Sequence, residues 1–414
     1  MSEWPVAALP AAQAVGSGSS AHAEGQLRSV RWALLFGNFS IGCGVMVTAG
    51  TLNDLSRSLQ VSVAVSGQLI TAAAVVIALC APPLAAVVAG IDRRRLLAGS
   101  LLWFGFWHGV SALMPNYAAL LPVRVLSVLA AAIFTPQAAA ALGVMVPAAQ
   151  RSQAITFVLL GWSVASVLGM PLSAWIGETF GWRWAFAGVG ALALAAALVV
   201  WRSMPDGVRP AALSRASWVQ LFSQPALMAI VGVTVFSAAG QFTLFSYFAP
   251  YYRQVLGAST GEISALFLWF GAVGLLGNVL LTRYINRIGV DRAVGLMLAC
   301  IAASLLLWPL GTSLPLMMAV LTPWALGCFA SNAGQQARLV QAAPVLAPAL
   351  IALNSSAMFA GQALGAASGG AMMTAHGYGP LHWVGLAWLV AAMGLSVWAA
   401  RWMARAEARA SSHA

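Results

Sequence analysis

The sequence predicts an all-α membrane protein with twelve transmembrane helices arranged as two pseudo-symmetric six-helix bundles. Three observations carry that reading: an apolar composition, long apolar runs with turn-rich separators, and an uneven distribution of arginine. Of 414 residues, 61% are hydrophobic and only 7% charged, with a mean hydropathy of +0.87. A soluble domain averages about 25% charged residues. Too few charges are present to hydrate a globule of this size, so lipid is the expected solvent for much of the surface. The net charge of +11 does not indicate nucleic acid. That would need basic residues gathered on one face, and these are dispersed among short connections.

A span needs about 20 mostly apolar residues. Twelve runs qualify: 31–52, 63–88, 96–114, 119–146, 153–175, 184–201, 226–250, 263–282, 293–311, 314–335, 350–375 and 383–402. Met114-Pro115-Asn116-Tyr117 and His376-Gly377-Tyr378-Gly379-Pro380 typify the separators. Residues 1–27 are rich in Ala, Ser and Gly, with no basic start and no cleavable apolar stretch, and read as a disordered cytoplasmic tail rather than a secretory signal. The least hydrophobic internal stretch, 202–224, carries Arg202, Asp206, Arg209 and Arg215. It reads as a cytoplasmic linker between a bundle over 28–201 and a second over 225–402, with another tail over 403–414.

All twenty cationic side chains are arginine, and sixteen fall in every second connection. The alternate connections hold Arg57, Arg183 and Arg253, and Arg124 lies inside a run. Connections that stay in the cytoplasm retain their basic residues. Both termini are therefore expected in the cytoplasm of a bacterial inner membrane. The halves also share a pattern. Arg93-Arg94-Arg95 lies between spans two and three, and Arg283, Arg287 and Arg292 lie between spans eight and nine. Gly169 and Gly365 are offset by 196 residues, which also brings those basic loops into register. Repeated bundles are a plan of secondary transporters. Cys43, Cys80, Cys300 and Cys328 lie in separate apolar runs without metal-ligand spacing. No paired carboxylates, nucleophile motif or phosphate-cradling loop points to an enzyme. The short connections hold no signalling domain.

At this point the residues resemble the major facilitator superfamily, in particular its twelve-span drug:proton antiporter branch of bacterial sugar and chloramphenicol exporters. The carrying segments are Leu120-Leu121-Pro122-Val123-Arg124 with Phe134-Thr135-Pro136, Val167 to Leu172, Gly181 to Phe186, Tyr247 to Tyr251, and Leu353 to Ala357 continuing to Gly365. The resemblance implies a monomeric exporter that takes a small molecule across the lipid bilayer by alternating access, without a cofactor, driven by a proton gradient. An uncoupled facilitator or importer is the alternative, and a sensor or membrane enzyme the remote one.

Two departures from the family pattern matter. In the loop between spans two and three, Gly90 stands where relatives have aspartate, Asp92 is shifted by two, and Arg93, Arg94 and Arg95 follow. The second-half counterpart reads Asn286, Arg287 and Gly289. Both loops are expected to latch the cytoplasmic side. In span one, Val45 occupies a glutamate position.

Arg124 is the sharpest candidate. A charge at mid-span costs about 3 kcal/mol on insertion scales and faces a cavity or partner unless it snorkels to headgroups. The resemblance matches it to an arginine associated with proton coupling. No Asp or Glu lies at the centre of a predicted span, which leaves His108 as either relay or packing residue. Asn38, Gln137, Gln241, Tyr247, Asn332, Asn354 and Gln362, with Asn278 and Gln335, are polar enough to turn inward as substrate contacts or interhelical bonds. Gly161, Gly169, Pro171 and Gly177 combine close helix approach with a kink in span five, which in relatives marks exporters.

Overall fold

The computed structural model describes residues 17–147, 150–209, 219, 221–343 and 346–412. Every regular element among them is helical. Eleven helices are long and apolar enough to cross a membrane. The twelfth of the expected set, Arg93–Ala112, opens on three arginines, which dilute its apolarity. It nevertheless packs along Tyr117–Met145 and Trp182–Ser203 as span three of the first bundle.

Helix starts follow from the separators. Ser62 Oγ accepts from the Val65 amide (3.2 Å) at the head of span two, and Asn116 Oδ1 from Ala119 (2.9 Å) at the head of span four. Ser259 and Glu262 form a reciprocal capping box at the head of span eight. Two spans are interrupted by proline, which lacks the amide owed to the carbonyl four residues earlier. Pro171 follows a π-helical turn at Ala165–Gly169 in span five. Pro250 follows the break that separates Pro225–Phe245 from Phe248–Gln254 in span seven.

In the first half, span one (Ser17–Gly50) packs on spans five and six, and span two (Val63–Val87) on span four. In the second half, span seven packs on spans eleven and twelve (Ala347–His376 and Leu381–Ser412), and span ten (Leu314–Ala342) on spans eight and nine (Thr260–Ile288 and Val290–Leu307). The halves meet through spans two and eleven, and five and eight. The end of the molecule where span one begins is called the terminal face below, and the opposite end the far face.

Several boundaries differ from expectation. Span eight runs on to Ile288, so Arg283 and Arg287, expected in a connection, lie within a helix. Helix extends back to Ser17 and on to Ser412, into stretches expected to be tails, whereas residues 1–16 lie outside the described set. Span ten runs on to Ala342, so Arg338, expected in a connection, lies within a helix. Its guanidinium is buried and binds Asp291 (2.6 Å) and both the hydroxyl and carbonyl of Ser396 (3.0 and 3.1 Å).

Candidate functional site

Arg124 is the eighth residue of span four and only 1% exposed. It does not reach for headgroups. Nη2 donates to the carbonyls of Gly44 (2.8 Å) and Val45 (3.3 Å) in span one, and Nη1 lies 3.0 Å from Nε2 of His108 in span three. His108 is fully buried, with Nδ1 2.9 Å from the Phe104 carbonyl. A carbonyl only accepts, so Nδ1 carries the proton. Nε2 then presents a lone pair, and Arg124 donates to it. The pair is a guanidinium and a neutral imidazole, walled by Phe104 and Phe186. Gly44 makes room: a Cβ there would stand 2.9 Å from His108 Nε2 and still closer to the Phe104 ring. At Val45 it is thus the backbone carbonyl that serves Arg124.

The amides fall into two groups, one in each half. In the first half, Asn38 Oδ1 accepts from Thr135 Oγ1 (2.7 Å), whose oxygen accepts from Trp162 Nε1 (3.3 Å). The Trp162 ring meets Phe359 of the second half at 6.3 Å. Asn38 Nδ2 is buried without a partner among the described residues. In the second half, Asn354 accepts from Thr234 (2.6 Å) and donates to Asn332 (2.9 Å), and Gln335 donates to the Ile230 carbonyl (3.3 Å). Gln241 donates to the Ser237 carbonyl (3.3 Å) and accepts from Trp324 (3.2 Å). Tyr247 donates to the Ala366 carbonyl (2.7 Å). Gln137 and Gln362 are buried on spans four and eleven. The sites are thus separate: Arg124 and His108 lie toward the far face, whereas Asn332, Gln335 and Asn354 lie toward the terminal-face ends of spans ten and eleven.

At the far face a third cluster joins the halves. Glu178, at the end of span five, accepts from Arg253 of the second half (3.0 Å) and from Arg57 of its own half (3.2 Å). Arg253 also donates to the Ala258 carbonyl (2.9 Å) and Thr260 (3.0 Å). Beside it, Asp54 accepts from the Trp182 amide (2.7 Å), and Arg183 ties Ser58 (3.2 Å) to the Met114 carbonyl (2.9 Å). All three arginines that break the charge asymmetry therefore brace this face.

At the terminal face the shifted acid has a clear role. Asp92 Oδ1 caps span three by accepting from the amides of Arg94 (3.0 Å) and Arg95 (3.4 Å). Its Oδ2 accepts from Gly207 of the linker (2.6 Å). Arg94 pairs with Asp206 (2.8 Å) and donates to the Trp201 carbonyl (2.7 Å). Arg93 turns back onto the carbonyls of Val88, Ala89 and Ile91. Gly90 is an open turn position. Among the described residues, this loop binds its own half and the linker rather than the opposite half. In the counterpart, Gly289 (φ 85°) alone turns span eight into span nine, so Arg287 sits on the last turn of span eight, over Tyr284, rather than in a loop. The Asn286 side chain lies outside the described residues.

The sequence profile of the Major Facilitator Superfamily matches residues 34–345. The chain belongs to that superfamily. Solved structures agree on the fold. A D-xylose–proton symporter superposes with a TM-score of 0.72 at 17% identity, covering 89% of this chain and 96% of its own. A human organic anion transporter gives 0.68 at 17% identity, covering 90% and 99%. A bacterial homologue of the human lysosomal transporter Spinster, inward-facing and unoccupied, gives 0.66 at 19% identity, covering 92% and 96%.

Within this superfamily fold, the span-five glycines form a stripe toward span one. Gly161 faces the Leu35 carbonyl, Gly169 faces Cys43 and Gly177 faces Thr51. Pro171 offers its carbonyl to Ser264 of span eight (3.4 Å). The sequence did not mark Gly44, Glu178 or Arg338, and it flagged Arg253 only as one of three exceptions to the arginine asymmetry. All four act across the fold rather than along the chain.

Proposed function

We propose that this superfamily transporter exports a small amphipathic compound across the bacterial inner membrane in exchange for protons, with the terminal face in the cytoplasm. The observation that supports proton coupling is the bonded Arg124–His108 pair, which stands where the span-one carboxylate of relatives is missing. For Nε2 to accept a proton, it must release Arg124. That guanidinium also holds the Gly44 and Val45 carbonyls of span one. Protonation is thereby linked to the packing of spans one, three and four, the kind of two-state element that coupling requires. Export follows from the resemblance of the span-five glycine stripe. Substrate class follows from the amide and aromatic groups of Asn38, Trp162, Phe359 and Asn354, which suit an uncharged or cationic amphipath.

The absence of a carboxylate at Val45 favours a second reading, an uncoupled facilitator. One experiment separates them. A compound is chosen by the hypersensitivity of a deletion strain, and its uptake is followed into proteoliposomes with an acidic lumen. Coupled exchange accumulates it above equilibrium in the wild type and not in Arg124→Ala. Protein-dependent equilibration without accumulation, indifferent to the gradient, leaves the facilitator. No protein-dependent flux for any compound in the panel removes the transport reading itself.

A further inference from the structure

We infer that the first half carries a binding groove for an anionic phospholipid, with Arg95 as its headgroup contact. The placement in the cytoplasmic leaflet rests on the orientation proposed above. The binding does not.

A groove of about 390 Å³ opens on the membrane-facing side between spans two, three and four. Its walls are apolar, from Leu84, Leu96, Trp103, Leu129 and Ile133, and Arg95 is the only charged residue lining it. Trp103 is held in place by donating its indole N–H to the Leu126 carbonyl (2.8 Å). Arg95 and Trp103 are eight residues apart on one helix, about 12 Å along its axis. One leaflet of hydrocarbon is about 15 Å deep, so the groove runs the length of an acyl chain.

The charge at its mouth is uncommitted. Asp92 is engaged by the amides of Arg94, Arg95 and Gly207, and Asp206 by Arg94. Arg95 is exposed and makes no ion pair among the described residues. A cation at the interface above a dry channel complements a phosphate above its tail. A soluble anion would leave the channel empty, and a neutral lipid would leave the guanidinium unmatched. The floor is open at Gly99, where an added Cβ meets nothing within 4 Å. A larger side chain can therefore fill the groove without disturbing the protein.

The test is native mass spectrometry of the full-length protein in detergent, with phosphatidylglycerol and phosphatidylcholine of identical chains in competition. The wild type should retain phosphatidylglycerol in preference by about fivefold, the value of one arginine facing an anionic headgroup. Arg95→Gln should abolish that preference, Arg95→Lys should keep it, and Gly99→Leu should lower occupancy of both lipids. Arg292→Gln, which removes an exposed charge far from the groove, should change nothing. Monodispersity and melting temperature report that each variant is folded. Equal retention of the two lipids by the wild type, or full preference in Arg95→Gln, overturns the proposal by showing annular lipid only.

Discussion

The pairing of Arg124 with His108 sets demands that single substitutions expose. Removing the imidazole strands Nη1 in a dry site, and an unsatisfied buried donor costs about 1–3 kcal/mol. His108→Ala should therefore lower the melting temperature in detergent, and His108→Gln, which can still accept, should lose less stability. Arg124→Lys should transport no better than Arg124→Ala. A single ammonium cannot span two carbonyls and an imidazole that a planar fork reaches together. Gly44→Ala should impair flux without replacing a titratable group, because its methyl would press on both Phe104 and His108. Flux equal to wild type in Gly44→Ala would show that the pair has slack. Arg124 was legible in the sequence as a lone charge inside an apolar run. His108 was legible as a lone histidine in span three, but its pairing with Arg124 was not. Sixteen residues and a far-face turn separate the two, and only antiparallel packing of spans three and four brings them together. Gly44 had no signal beyond being one of 40 glycines in a chain where glycine is common.

At the scale of elements, most of the helices were readable because each span must be long, apolar and bounded by turn chemistry. The readings that slipped share one cause: helices do not stop where hydropathy falls. Span three begins in three arginines, and span ten carries Arg338 past its apolar stretch because Asp291 and Ser396 satisfy that charge. The span-five stripe was legible as a pattern but silent about its partner. Facing span one, it makes a sharp expectation. Gly161→Val would push a side chain into the Leu35 carbonyl, 2.5 Å from where its Cβ would begin. Overpacking of this kind costs about 1–3 kcal/mol, so the variant should unfold at lower temperature, whereas Gly188→Val, in open space on span six, should not. The displaced acid Asp92 permits another check. Its loss removes a helix cap worth about 1 kcal/mol and frees the linker turn at Gly207. Limited trypsin digestion of Asp92→Ala should cut faster after Arg215 than in wild type. Equal rates would mean that the Arg94–Asp206 pair and the Arg93 amide on the Val208 carbonyl hold the linker without Asp92.

For the whole molecule, the decisive contact is an ion pair that joins the halves. Glu178 belongs to the first half and Arg253 to the second, so any motion that opens the far face must part them. The sequence placed both at span ends, where charges are ordinary, and nothing along the chain marks them as partners. Arg57 also binds Glu178 but from the same half, and so supports the carboxylate without bridging. The two arginines are therefore separable. The arginine side chains are partly exposed, which limits the bridge to about 1 kcal/mol, or about fivefold in a population. Spin labels at Leu113 and Thr312, on far-face connections of opposite halves, would report the gap in a cysteine-free background. Glu178→Gln and Arg253→Ala should each shift the distance distribution toward longer values, and the double variant should shift it no further than either alone. Arg57→Ala should leave it close to wild type. If neither Glu178→Gln nor Arg253→Ala moves the distribution in folded protein, the packed faces of spans two and eleven, with Tyr247 against Gly67, hold the far side shut without the ion pair.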